Sequence, residues 1–98
     1  MLVVTAQVSC VPGQEDAFIA AAAELVAKTV EESGNIAFAV SRDILDASRF
    51  AFVEEWHDDA ALDEHVETVY FKAFAEAARP MIDHRAIKIH TIEKTRTV

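Results

Sequence analysis

The first apolar run, Leu2 to Ser9, reads as a strand, with Val3, Val4 and Val8 supplying β-branched side chains. From Gln14 to Glu32 the period lengthens. Phe18, Ala22, Leu25 and Thr29 recur at helical spacing, flanked by Ile19, Val26 and Val30, with no Gly or Pro to interrupt them. Glu15 and Asp16 fall in the first turn of this helix, where its dipole favours negative charge. Period two returns from Asn35 to Asp43, with Ile36, Phe38 and Val40 on one face and Ala37 and Ala39 on the other. A loop, Ile44 to Ser48, leads into a strand from Arg49 to His57, on which Phe50, Phe52, Glu54 and Trp56 share a face. After the polar turn His57-Asp58-Asp59, the segment Asp59 to Arg79 reads as helical, with a candidate break near Thr68. Arg85 to Lys94 reads as a last strand anchored by Ile87 and Ile89.

Two glycines and two prolines punctuate this pattern. Pro12-Gly13 marks a turn and Pro80 ends or breaks a helix. Ser33-Gly34-Asn35 marks another turn, with Gly34 suited to a helix C′ position of positive φ. The order β-α-β-β-α-β is the split βαβ, a ferredoxin-like α+β fold: a four-stranded antiparallel sheet with helices on one face. The whole chain, residues 1–98, is expected to form one domain.

Helices on one side leave the other sheet face open. Water there would call for polar residues. Val3, Thr5, Ala37, Ala39, Ala51 and Val53 are instead small or apolar. An uncovered apolar face predicts a partner, and the expectation is a homodimer with the two sheets face to face, a dimeric α/β-barrel. The hydrophobic fraction of 52% points the same way.

Charge and cysteine usage exclude several classes. The net charge of −8, with no basic run, argues against nucleic acid and against anionic membrane surfaces. No apolar stretch approaches a membrane span and the start lacks a positive leader region, so the chain is expected in the cytoplasm. Cys10 stands alone, which rules out an internal disulfide and a thiolate-rich metal site. His57 and His65 lie across a turn, and His84 and His90 are separated by a strand, so no motif brings three metal ligands together. There is no phosphate-cradling glycine loop, nucleophile elbow or nucleotide fingerprint. An enzyme built on this chain either needs no tightly bound cofactor or borrows one.

The candidate chemistry is concentrated between Asn35 and Phe74. Imidazole ordinarily titrates near neutrality, so His65 is a candidate general base or acid, or else a half-buried helix residue. Glu54, on the Trp56 face, is placed to orient it. Trp56 can anchor a core or stack on a planar aromatic ligand. Asn35 can serve turn chemistry, or polarise a carbonyl or oxyanion. Tyr70 and Phe71 are candidates to line the same cavity, although Phe71 and Phe74, one helical turn apart, fit ordinary core packing better.

Gly34-Asn35 with Phe38, then Phe52-x-Glu54-x-Trp56, then Ala60-Ala61-Leu62 with His65, Thr68 and Phe71, resembles the antibiotic biosynthesis monooxygenase superfamily. The opening MLVVTAQVSCVPGQEDAF is similar to that family's first strand, turn and helix. The resemblance implies a dimeric ferredoxin-like fold with a pocket between sheet and helices in each subunit. The family includes cofactor-independent monooxygenases of quinols and polycyclic phenols, haem-degrading enzymes and an autoinducer-2-phosphate isomerase. By this resemblance His65 is the base or proton relay and Glu54 its orienter, Asn35 and Trp56 hold the substrate's oxygens and ring, and Phe38, Phe52, Tyr70 and Phe71 bind the substrate.

Two departures narrow the choice. Tyr70 replaces a histidine that the family often carries, and tyrosine, with an ordinary pKa near ~10, is a poor base at neutral pH. Phe38 stands where the family often has Tyr. Both changes make the pocket less polar and favour an aromatic substrate over a phosphorylated one. Gln7 stands where haem-degrading relatives tend to have Asn, which disfavours haem breakdown. The expected activity is cofactor-free oxidation of a quinol or hydroxylated aromatic by dioxygen in a homodimer. The alternatives are a proton-transfer isomerase of a small carbonyl compound and a non-catalytic small-molecule-binding dimer.

Overall fold

The computed structural model describes Met1–Val98. Its elements are β1 (Leu2–Cys10), α1 (Glu15–Thr29), β2 (Asn35–Arg42), β3 (Arg49–Trp56), α2 (Asp59–Val66), α3 (Val69–Ala78) and β4 (Ile82–Thr91), with a short 3-10 turn, Arg79–Met81, before β4. The sheet is antiparallel in the order β2-β3-β1-β4. This is the ferredoxin-like arrangement, with the second helical segment divided in two at the break near Thr68, so the order is βαββααβ. No helix is long and apolar enough to cross a membrane.

Strand alternation sets the core. Leu2, Val4, Ala6, Val8 and Cys10 of β1 and Phe50, Phe52, Glu54 and Trp56 of β3 are buried on the helix side. Phe18, Ala22, Leu25 and Thr29 form the buried stripe of α1, at the spacing the sequence showed. The Phe18 ring packs on Phe50, Phe52 and Phe74 with centroids 5.0, 6.1 and 6.1 Å apart. On the opposite sheet face, Val3 pairs with Glu55, Thr5 with Val53, and Ala39 with Val53. Ala39 and Val53 are exposed there, and Val3, Thr5, Ala37 and Ala51 are half-buried.

Four local expectations change. Helix α1 stops at Thr29 rather than Glu32, which frees residues 30–34 as a turn. A bulge between Asn35 and Ala37 displaces Ile36 from the face of Phe38 and Val40 and leaves it 44% exposed. Gly34 does not hold a positive φ; Gly13 does, at 90°. What requires glycine at position 34 is close approach, since a Cβ there would collide with the Cβ of Ala61. Finally, Ile87 and Ile89 lie opposite Ala6 and Val4, hence on the helix side, but are 55% and 59% exposed. They anchor nothing in the chain as it stands, because β4 is an edge strand that the helices do not cover.

Candidate active site

Trp56 and Glu54 project from the same face of β3. The indole is fully buried, and its Nε1–H donates to Glu54 Oε1 at 3.0 Å. Burial pushes the Glu54 carboxyl up from 4.5 to about 7, against the indole hydrogen bond, which pulls it down. Just beyond β3, the Asp58 side chain accepts the Ala61 N–H at 2.8 Å and starts α2. Gly34 lets that first turn press against the β2 entrance, and its carbonyl accepts the His57 N–H at 3.0 Å. The last turn of α2 therefore sets His65 over the indole, with ring centroids 4.6 Å apart. Thr68 then caps α3, accepting the Phe71 N–H at 3.2 Å. This brings Phe71 to 4.9 Å and Tyr70 to 6.5 Å from the imidazole, while Phe38 reaches it from β2 at 5.9 Å.

The carboxylate bonded to His65 is not that of Glu54. Glu32, in the turn after α1, places Oε2 2.7 Å from His65 Nδ1. The same oxygen accepts the Tyr70 hydroxyl. A carboxylate partner suits an Nδ1–H donor, and in the neutral imidazole that tautomer leaves Nε2 as the acceptor nitrogen. Burial, and then the Glu32 carboxylate, raise the Tyr70 hydroxyl to about 12, so Tyr70 remains a donor at neutral pH. His65 is 2% exposed, and no buried side-chain nitrogen or oxygen lacks a partner. Its Nε2 has no partner in the chain, so the small exposed part of the ring includes Nε2. The same reasoning leaves Glu54 Oε2 accessible.

Both atoms belong to residues that line one cavity of about 620 Å³ between sheet and helices, open along β4. That size is ordinary for a small-molecule site. Sixteen of its 22 lining residues are hydrophobic. Of the residues singled out from the sequence, Phe38, Phe52, Glu54, His65 and Phe71 line it. Trp56 and Tyr70 stand behind its wall and act on Glu54 and, through Glu32, on His65. Asn35 is placed elsewhere: its amide donates to the carbonyls of Ala37 and Glu55 at 3.1 and 3.3 Å, clamping the β2 bulge. No three His, Cys, Asp or Glu side chains gather as a metal site.

Sequence reasoning missed Glu32 because it was counted as the end of a helix. One signal was available. Glu31 and Glu32 follow the C-terminus of α1, where the helix dipole disfavours negative charge. Glu31 stays exposed, whereas Glu32 finds two partners, the His65 imidazole and the Tyr70 hydroxyl.

Comparison with known proteins bears on the fold and the family. The protein sll1783 of Synechocystis is 32% identical over 98 residues, covering 99% of this chain and 67% of that one. YcnE of Bacillus subtilis is 27% identical over 82 residues, covering 84% and 86%. A solved structure of an antibiotic biosynthesis monooxygenase superposes with a TM-score of 0.89 at 30% identity, covering 96% of this chain and all of that one. The model of the family described as antibiotic biosynthesis monooxygenase matches residues 1–77, the span that holds β1 to α2, all but the last residue of α3, and the His65 cluster, and the chain belongs to that family.

Proposed function

We propose that this chain is a cofactor-independent monooxygenase that oxidises a quinol or similar hydroxylated aromatic with dioxygen. The observation that carries the reading is His65, whose Nδ1 is held by Glu32 while its ring lines an aromatic-rich cavity. An imidazole fixed in that tautomer is a base aimed at a bound phenol. Removing the phenolic proton makes an electron-rich anion, and its ring carbon passes electrons to dioxygen and forms a C–O bond. The peroxide O–O bond then breaks. One oxygen stays as a carbonyl, and the other leaves as water with the ring hydrogen and the phenolic proton. Glu54, ionising near neutrality on the same cavity, can hold or return a proton during that collapse. The apolar lining around the Glu54–His65 end offers water few partners and strengthens charged interactions there.

The working unit in this reading is a homodimer joined through the open sheet face, where Val53 is 47% exposed between Thr5 and Ala39. Oxygen-electrode measurements with a panel of reduced quinones and naphthols test the activity. Uptake above the protein-free rate is expected for at least one member and is absent if the reading is wrong. A proton-transfer isomerase is the second reading, favoured by two proton-holding side chains, Glu54 and His65, lining one cavity. It predicts solvent deuterium entering a carbonyl substrate without oxygen use.

A further inference from the structure

The six polar residues that line the cavity occupy its two ends. Glu54 and His65 stand at one end, Arg79, Asp83, His84 and Arg85 at the other, and the lining between them is hydrophobic. The strand register gives the spacing. Glu54 is level with Val4 of β1, and Arg85 with Val8, so both project to the helix side. Four residues along the strands is ~13 Å, and two strand spacings across is ~10 Å. On the β4 face that borders the cavity, Arg85 is followed by Ile87, Ile89 and Thr91, so it is the one charge on that stretch. The ion pairs of the chain are Lys28–Glu24, His65–Glu32, Lys72–Glu67 and Arg79–Glu76, which leave Arg85 without a carboxylate, Asp83 included.

An unpaired guanidinium at the mouth of an apolar cavity, in a chain of net charge −8, has a consequence for the ligand. The overall field repels anions, so a local cation is needed to admit one. Guanidinium also matches a carboxylate with two parallel hydrogen bonds. We propose that the far end of the cavity binds the acidic group of an elongated aromatic substrate through Arg85, with the substrate's hydroxyl at the Glu54–His65 end. This rests on the cavity being the substrate site, as in the proposed function, and it adds the substrate class: an aromatic acid whose carboxylate lies at the opposite end from the reacting hydroxyl.

The test uses a matched pair that is not readily oxidised, 4′-hydroxybiphenyl-4-carboxylate and 4-phenylphenol, titrated by calorimetry. The acid should bind about five- to tenfold more tightly at low salt, the range of an exposed to a charge-assisted pair. The advantage should shrink in about 0.5 M salt. Arg85→Gln should abolish it and leave 4-phenylphenol binding unchanged. Lys88→Gln makes the same charge change on the opposite face of β4, where Lys88 pairs with Thr5, and should preserve it. Equal affinity for the two probes, or equal loss in both variants, overturns the Arg85 assignment while leaving the cavity as a phenol site. Failure of both probes to bind overturns the assignment together with the cavity reading, and oxygen uptake then judges the proposed activity separately.

Discussion

Replacing Glu54 with Gln removes the one buried carboxyl whose ionisation falls near neutrality, and the cost of that ionisation can be read as stability. Glu54 is 9% exposed and ionises at about 7 in the fold against an ordinary 4.5. A tenfold change in an ionisation constant is ~1.4 kcal/mol, so holding this carboxylate charged costs about 3 kcal/mol. The folded value is raised above the unfolded one, so the folded state binds more protons between the two. Stability therefore falls as pH rises from about 4.5 and the loss is complete somewhat above 7. Glutamine has nearly the same shape, its carbonyl can still accept the Trp56 N–H, and it carries no such cost. Urea denaturation of wild type and Glu54→Gln, at one protein concentration and at a series of pH values, measures the difference between them. The variant should gain about 3 kcal/mol relative to wild type between acid and mildly alkaline pH. A difference that stays flat with pH would show that Glu54 is not held in an apolar site and would refute the reasoning.

Four further outcomes are expected. Gly34→Ala forces a methyl into Ala61 and should destabilise the fold by about 1–3 kcal/mol in denaturation, with Gly34→Ala/Ala61→Gly recovering part of the loss. Trp56→Phe removes the donor that lowers the Glu54 carboxyl, so the carboxyl should titrate above its present value of about 7, seen by carbon-13 NMR of the labelled side chain. Glu32→Gln should cut turnover by about tenfold or more and let the His65 tautomers mix in nitrogen-15 spectra; unchanged spectra would remove Glu32 from the account. Val53→Lys places a charge in the middle of the open sheet face and should convert a dimer to monomer in sedimentation equilibrium, with an unchanged mass contradicting that interface.

Most of the architecture was legible because alternation and helical spacing report directly on which side chains face the core. Phe50, Phe52, Glu54 and Trp56 were grouped on one face by period two, and all four are buried. Thr68 was marked as a break, and it caps a separate helix. What escaped depends on contacts between segments distant in sequence. Gly34 looked like a helix terminator because its need for a small side chain comes from Ala61, in another element. Glu54 was paired with His65 from its place on the Trp56 face and from the family resemblance, whereas the partner, Glu32, lies 33 residues before the histidine and approaches it only in the fold. Ile87 and Ile89 carried the apolar signature of a strand, but that signature does not say whether a helix reaches the strand.

Labelled dioxygen tests the central claim most directly. With a chelator present and a hydroxylated aromatic acid as substrate, the wild-type protein should consume one dioxygen per substrate and place one labelled oxygen in the quinone product, read by mass spectrometry. His65→Ala should lose this activity while keeping the fold's circular dichroism. Label incorporation at the protein-free rate, or equal incorporation by His65→Ala, would contradict the account.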